Sequence, residues 1–319
     1  AKNRDLLLGR VATFKKRNRF IDISRSILPT LLLHPLYRLG NALVFSKIRA
    51  KLGTSFIAGV SGGGSLSESV DFFFDSIGVK LVDGYGLTES APVISIRPLQ
   101  KSIKRTMTGL PGTELRILDA EGRTVPPGKK GVLYVRGPQV MSGYFKRPEL
   151  TKTVLSADGW LNTGDLAMWT HHGEFAIVGR AKDTIVLSGG ENLEPMPIEA
   201  RLAESEYIEQ AVVLGQDRKH LGALIVLNKA RVAEYLKEKN IPYLEETMTH
   251  LGEVKDLIGR TIGEMVSTKS GFKPFEQITR FTLLSKSFEV GKELSAKQEL
   301  KRFEIDRMYE EEIEELFAG

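Results

Sequence analysis

Asp83 to Ser90 reads DGYGLTES, between an apolar run carrying Val79, Leu81 and Val82 and a second run bounded by Pro92 and Ile96. Gly84 and Gly86 flank one aromatic residue, Tyr85, so the backbone can turn sharply and a ring can lie flat against a planar group. Asp83 opens the stretch. Thr88 then offers a hydroxyl and Glu89 a carboxylate at the mouth of a sheet, a pair suited to a phosphate and a divalent cation. The bland alternative is a strand-to-loop turn with a packed tyrosine, and a short glycine motif alone does not choose between the two. The surrounding chain bears on that choice.

Upstream, Thr54 to Val60 reads as a short strand running into SGGGSLSES. Gly62, Gly63 and Gly64 let a ligand approach bare backbone, and Ser67 is placed to cap a helix through Phe72, Phe73 and Phe74. No GK[ST] follows and no GxGxxG spacing is present, so a base or ribose against glycine backbone fits better than a phosphate loop. Strand, glycine loop, helix and strand make a parallel unit with two loops on one edge, where ligands of open α/β sheets bind. Farther upstream, residues 1–50 read as helices, with Leu6, Leu7, Leu8, Val11 and Phe14 at helical spacing and Pro29 and Pro35 expected to break the run.

Downstream the texture changes to short alternating strands, with Glu114 to Leu118 and Gly131 to Val135 predicted as strands of a small antiparallel barrel or distorted sheet. In GWLNTGDLAMW, Asp165 follows a glycine and is expected at a strand edge, where its carboxylate can accept two hydroxyl hydrogen bonds, as from a ribose. His171 and His172 begin a hairpin turn and read as solvent histidines. Arg180 gives a planar, permanently charged group, and Lys182 and Asp183 lie in a polar break that suits a linker. Ser188, Gly189, Gly190 and Glu191 open another permissive loop, with a helix expected from Pro197. Strands are then predicted at Ile208 to Gly215, Leu221 to Leu227 and Phe281 to Leu284.

The 319 residues, 41% hydrophobic, suffice for two or three units with real cores. No run approaches the roughly 20 apolar residues of a membrane span, and the opening AKNRDLLLGR lacks the apolar region and cleavage site of a secretory signal. The absence of cysteine removes disulfides, a thiol nucleophile and Cys-based metal sites, and a cytoplasmic location fits. The net charge of +5 is uneven: residues 1–50 hold eleven Lys and Arg against Asp5 and Asp22, whereas Glu304 to Glu315 holds six Glu and Asp306 against Arg307. A solvated helical face is the preferred reading of the basic segment, with peripheral contact to an anionic membrane as its alternative and no nucleic-acid partner expected.

Taken together and in order, SGGGSL, DGYGLTES, GWLNTGDL, GRAKDTI and SGGEN resemble the adenylate-forming superfamily, and within it the long-chain fatty acyl-CoA synthetases. The resemblance implies that ATP and a fatty acid give an acyl-AMP and that the thiol of coenzyme A then displaces AMP. It implies that Gly62, Gly63 and Gly64 line the adenine, within a nucleotide site that includes Asp83, Gly84 and Gly86, and that Tyr85 stacks on the base. Thr88 would hold the α-phosphate, Glu89 would bind Mg2+, and Asp165, with Arg180 beside it, would take the ribose. Lys182 would be the hinge of a mobile C-terminal domain, and Ser188, Gly189, Gly190 and Glu191 would line the path of CoA. The fold expected is α/β plus α+β: a helical lead-in over 1–50, a partial α/β subdomain over 51–105, an antiparallel barrel-like subdomain over 106–178, a hinge at 179–187 and an α+β domain over 188–319.

Two departures from the family pattern stand out. No Ser/Thr/Gly-rich TSGTTGxPKG loop is present, so the chain is expected to be the C-terminal portion of a longer enzyme, inactive without its N-terminal half. The family pattern LTPTxKxKR is matched by ELSAKQELKR, which puts Glu299 where the catalytic lysine is expected. Lys297 is the substitute chosen, and Lys301 matches the second lysine. An adenylating enzyme that uses a carrier-protein thiol and a non-catalytic AMP-binding relative are the alternatives.

Overall fold

The computed structural model describes residues 5–7, 14–64, 66–99 and 106–318, in two compact units, Ala1–Val178 and Gly179–Gly319. The spacing read over Leu6 to Phe14 lies largely outside the described residues.

In the first unit, α1 (Arg19–Gly40) starts at Asn18, whose side chain accepts from the Phe20 N–H. It does not break at Pro29 or Pro35 as expected. The carbonyls that lose their donors belong to Arg25 and Leu31, both exposed, so water can take the place of the missing N–H groups. A π-helical turn (Asn41–Phe45) and α2 (Ser46–Ala50) continue the run. Among the described residues no helix is long and apolar enough to cross a membrane.

The parallel unit forms as expected. β1 (Gly59–Gly62) pairs in parallel with β2 (Leu81–Tyr85), and α3 (Glu68–Ser76), capped by Ser67, connects them. β1 begins later than the strand predicted at Thr54 to Val60, because the pairing partner is Leu81–Tyr85. The Gly59–Leu81 match leaves no room for more than a small side chain, since a Cβ on Gly59 would sit 3.1 Å from Leu81. β3 (Ser95–Ile96) and β4 (Thr108–Gly109) add antiparallel, in the order β1-β2-β3-β4.

The second sheet contains β5 (Glu114–Leu118), β6 (Lys130–Arg136), β7 (Leu161–Trp169) and β8 (Phe175–Arg180), in that order. It is open, which corrects the barrel-like expectation: β5 and β8 are separate edges, and four strands are too few to close around a filled interior. Ile117, Leu133, Val135, Ala167 and Phe175 form its core.

The second unit opens with a hairpin of β9 (Ile185–Val186) and β10 (Asn192–Leu193) around Gly189 and Gly190. Helix α5 (Pro195–Leu202) begins two residues before the predicted Pro197, with another proline at its first position. A sheet of β11 (Ile208–Leu214), β12 (Leu221–Leu227) and β13 (Ile278–Leu284) follows, with β12 central. β13 starts three residues earlier than predicted because Ile278 already pairs with Leu221. Every β12 residue is buried. Leu221, Ala223, Ile225 and Leu227 join the core with α5, α6 (Lys229–Glu238) and α7 (Gly252–Met265), while Leu224 and Val226 join the core with α8 (Arg302–Met308) and α9 (Glu310–Phe317).

Candidate functional site

Asp83, Gly84 and Tyr85 are the last residues of β2 rather than loop residues, and Gly62 at the end of β1 stands opposite Gly84. The two glycine-containing ends therefore lie side by side. A Cβ on Gly86 would run into the Pro92 carbonyl, so only glycine fits where the chain doubles back. Gly63 and Gly64 are exposed, and a Cβ on either would meet nothing within 4 Å. Thr88 and Glu89 lie in the 3-10 turn Thr88–Ser90, which the buried Ser90 hydroxyl braces by accepting from the Leu87 N–H at 2.9 Å. Thr88 is exposed.

Asp165 lies inside β7, not at a strand edge as expected, and is 5% exposed. The NTGD string is a bulge: Val132 faces Leu166 and Tyr134 faces Asn162, with Gly164 at φ +71° within the extra residues. Bulges re-aim side chains. Here the carboxylate meets β2, where the Tyr85 hydroxyl donates to Asp165 Oδ2 at 2.6 Å. The Tyr85 ring is set edge-on to Phe175, centroids 6.5 Å apart at 84°.

The Glu89 carboxylate accepts from the Tyr144 hydroxyl at 2.8 Å. That bond, with burial and the carboxylate charge, pushes the Tyr144 phenol above its ordinary range and keeps it a donor. Behind β2, Asp71 and Arg97 form a buried ion pair at 2.7 Å, and the Arg97 N–H donates to the Asp83 carbonyl at 2.8 Å. Burial raises the Asp83 carboxyl, with Arg97 opposing and Asp71 reinforcing.

The other expected site residues belong to the second unit. Arg180 donates to Glu299 Oε1 at 3.3 Å. Lys182 sits exposed in the 3-10 turn Ala181–Asp183. The Ser188 N–H donates to the Arg218 carbonyl, and the Gly190 N–H to the Leu187 carbonyl, with Gly190 at φ +87°. The Glu191 carbonyl accepts from the Leu187 N–H at 2.9 Å. Lys297 lies in a tight turn between the bridged Leu294 and Leu300, closed by Gln298 at φ +62° and by the Ser295 hydroxyl accepting from the Glu299 N–H. Its side chain is exposed, whereas the Lys301 ammonium is spent on the carbonyls of Gly291 and Lys292.

Reading the sequence missed Tyr144, the Asp71–Arg97 pair and the bidentate grip of Arg302 on Glu199 at 2.8 and 2.7 Å. The only local signal for Tyr144 is an aromatic after a glycine in SGYFKRPEL, and nothing near it in sequence names Glu89.

The AMP-binding enzyme model matches residues 26–145, and the model of the AMP-binding enzyme C-terminal domain matches 182–319. The chain is 40% identical over 314 residues to a chloroplastic long-chain-fatty-acid–acyl-carrier-protein ligase of Arabidopsis thaliana, covering 94% of this chain and 41% of that protein. It is 32% identical over 292 residues to a long-chain-fatty-acid–CoA ligase of Mycobacterium bovis, covering 91% of this chain and 46% of the relative. Among solved structures it resembles the adenylation and carrier-protein didomain of carboxylic acid reductase from Segniliparus rugosus, solved in complex with AMP. That match has a TM-score of 0.71 at 27% identity and covers 88% of this chain and 37% of that one. The chain thus spans less than half the length of these relatives. Matched by both models, over residues 26–145 and 182–319, and carrying the five motifs in order, the chain belongs to the adenylate-forming superfamily of AMP-binding enzymes.

Proposed function

We propose that this chain forms the adenylate-binding face and the C-terminal unit of an acid–thiol ligase acting on long-chain fatty acids. In the first step a carboxylate oxygen of the acid attacks the α-phosphorus of ATP and pyrophosphate leaves. In the second, the sulfur of a thiol attacks the acyl carbon of acyl-AMP and AMP leaves. Such chemistry calls for positioning and charge stabilisation more than for a protein nucleophile.

The observation that carries the reading is the Tyr85–Asp165 hydrogen bond, which joins two motifs 80 residues apart, one at the end of β2 and the other within β7 of a different sheet. Asp165 would accept the ribose hydroxyls, with Arg180 as a second ribose or phosphate contact. Tyr85 would offer a ring face to the adenine, Gly62, Gly63 and Gly64 would let the base approach, and Thr88 would hold the α-phosphate. Lys182 would be the hinge, and Ser188 to Glu191 would border the thiol's path. Glu89 would hold Mg2+. Its donor set fits that ion, which is usually bound by one or two carboxylates plus substrate phosphates and water. No group of three or more acidic or histidine side chains placed for a metal occurs among the described residues.

The thiol is that of coenzyme A or, as a second reading, that of an acyl carrier protein, which the 40% identical relative names as its acceptor. Calorimetric titration with AMP, paired with fatty-acid-dependent ATP–pyrophosphate exchange and a choice between the two thiols, tests these readings. The chain is expected to bind AMP, and exchange is expected only when it is joined to the remainder of such a ligase. AMP binding without exchange even then would leave a non-catalytic relative, and failure to bind AMP would overturn the assignment.

Lys297 is the lysine assigned to the adenylation step. Lys297→Ala is expected to slow acyl-AMP formation by about tenfold or more, the worth of one charge-assisted hydrogen bond. Thioester formation from preformed acyl-AMP should be spared. Equal loss in the two half-reactions would take the role away from Lys297.

A further inference from the structure

The two carboxylates given to the nucleotide, Asp165 and Glu89, share a feature: each accepts a hydrogen bond from a tyrosine hydroxyl distant in sequence. For Asp165 that tyrosine is part of a motif. For Glu89 it is Tyr144, which no motif singles out.

Glu89 is fixed from two sides. Its main chain is held in the 3-10 turn by Ser90, and its carbonyl accepts from the Met141 N–H at 2.8 Å. Three residues beyond Met141, Tyr144 returns to the same residue with its hydroxyl. The Tyr144 main chain is itself anchored, because its N–H donates to Thr151 Oγ1 at 2.9 Å on α4 (Pro148–Val154). Gly143 makes that approach close, since a Cβ there would come within 2.8 Å of the Thr151 methyl group. The 141–144 loop therefore grips Glu89 by its carbonyl through Met141 and by Oε1 through Tyr144. A glutamate has several rotatable bonds, and a single-carboxylate cation site works best if those are set before the ion arrives.

We infer that Tyr144 is a positioning residue, orienting the Glu89 carboxylate for a divalent cation carried by the nucleotide. The inference rests on Glu89 being the cation ligand and deepens that assignment. It concerns preorganisation, not charge: the phenol withdraws some negative charge from Oε1, so a role through charge alone would make removal of the hydroxyl tighten the cation rather than loosen it.

The test uses Mn2+ as the probe, titrated against the chain with ATP and followed by electron paramagnetic resonance, alongside AMP titrations in a chelator. Tyr144→Phe keeps the ring and loses the hydroxyl. It should raise the apparent Kd for Mn2+ by about three- to tenfold, the ordinary net worth of one hydrogen bond, with AMP affinity in the chelator unmoved. Mn2+ affinity that is unchanged or tighter overturns the inference, as does a parallel fall in chelator AMP affinity, which marks a structural role. Glu89→Gln separates the two levels. If it weakens Mn2+ while Tyr144→Phe does not, only the positioning role fails; if neither changes Mn2+ affinity, or no Mn2+ binds, the Glu89 assignment falls and the inference with it.

Discussion

Arg302→Ala is expected to destabilise the second unit by about 2–3 kcal/mol, somewhat less than stranding one member of a fully buried ion pair, because the pair keeps 20% and 11% of its side-chain surface exposed. Arg302 lies at the start of α8 and donates to both oxygens of Glu199 on α5, 103 residues away in sequence. Glu199 Oε1 also accepts from the Val213 N–H at 2.8 Å, and Arg302 returns a bond to the Val213 carbonyl at 3.3 Å. One guanidinium thus ties a helix from each side of the sheet to the same residue of β11. Burial already pushes the Glu199 carboxyl up, with Arg302 the main opposing influence, so the variant should push it higher. A carboxyl whose folded pKa exceeds its unfolded one contributes stability that is present below the unfolded pKa and is lost as pH rises through the folded pKa. The deficit of Arg302→Ala should therefore be smallest in mild acid and grow toward neutral pH. Urea unfolding of the second unit across that range measures it, and adding Glu199→Gln should restore part of the loss. A deficit independent of pH, with no recovery in the double variant, would mean that the stranded carboxylate is not its source.

Asp165→Ala is expected to weaken AMP binding by about 1.5–3 kcal/mol, roughly ten- to 150-fold, through loss of a charged hydrogen-bond acceptor. The same change leaves the half-buried Tyr85 hydroxyl without its acceptor, so a lower melting temperature should accompany it. Asp165→Asn separates the effects, because the amide oxygen can still accept from Tyr85 while the negative charge is gone. Its melting temperature should stay close to that of the native chain and its AMP affinity should remain reduced. Native AMP affinity in both variants would remove Asp165 from the ribose.

Much of the local structure was legible in the sequence. The β1–α3–β2 unit announces itself through an apolar run, successive glycines and a capping serine, all within 30 residues. The strands at Glu114 to Leu118 and Leu221 to Leu227 follow from local patterning in the same way. What escaped depends on partners distant along the chain. Whether four antiparallel strands close or stay open is settled by edges that local alternation does not encode. The bulge that aims Asp165 shows only when β7 is laid against β6, although Asn-Thr-Gly in a strand is its trace. Pro29 and Pro35 misled because proline marks a helix end only when the carbonyls it orphans cannot reach water. In the candidate site, the motifs mark their own residues but not those that hold them. Tyr144 and Glu89 are 55 positions apart, and Arg97 and Asp71 are 26 apart.

The complete burial of β12 dictates when the second unit can exist during synthesis. One face of that strand is covered by helices made before β13, but the other is closed by Ile305, Leu316 and their neighbours, which follow β13 in the chain. β13, which pairs β12 in parallel, also emerges some 50 residues after it. While the ribosome still holds the C-terminal helices, the sheet presents Val212, Leu224 and Val226 to water. The second unit therefore cannot close this core until the chain has been made through Leu316, and until then the uncovered sheet face is open to chaperones.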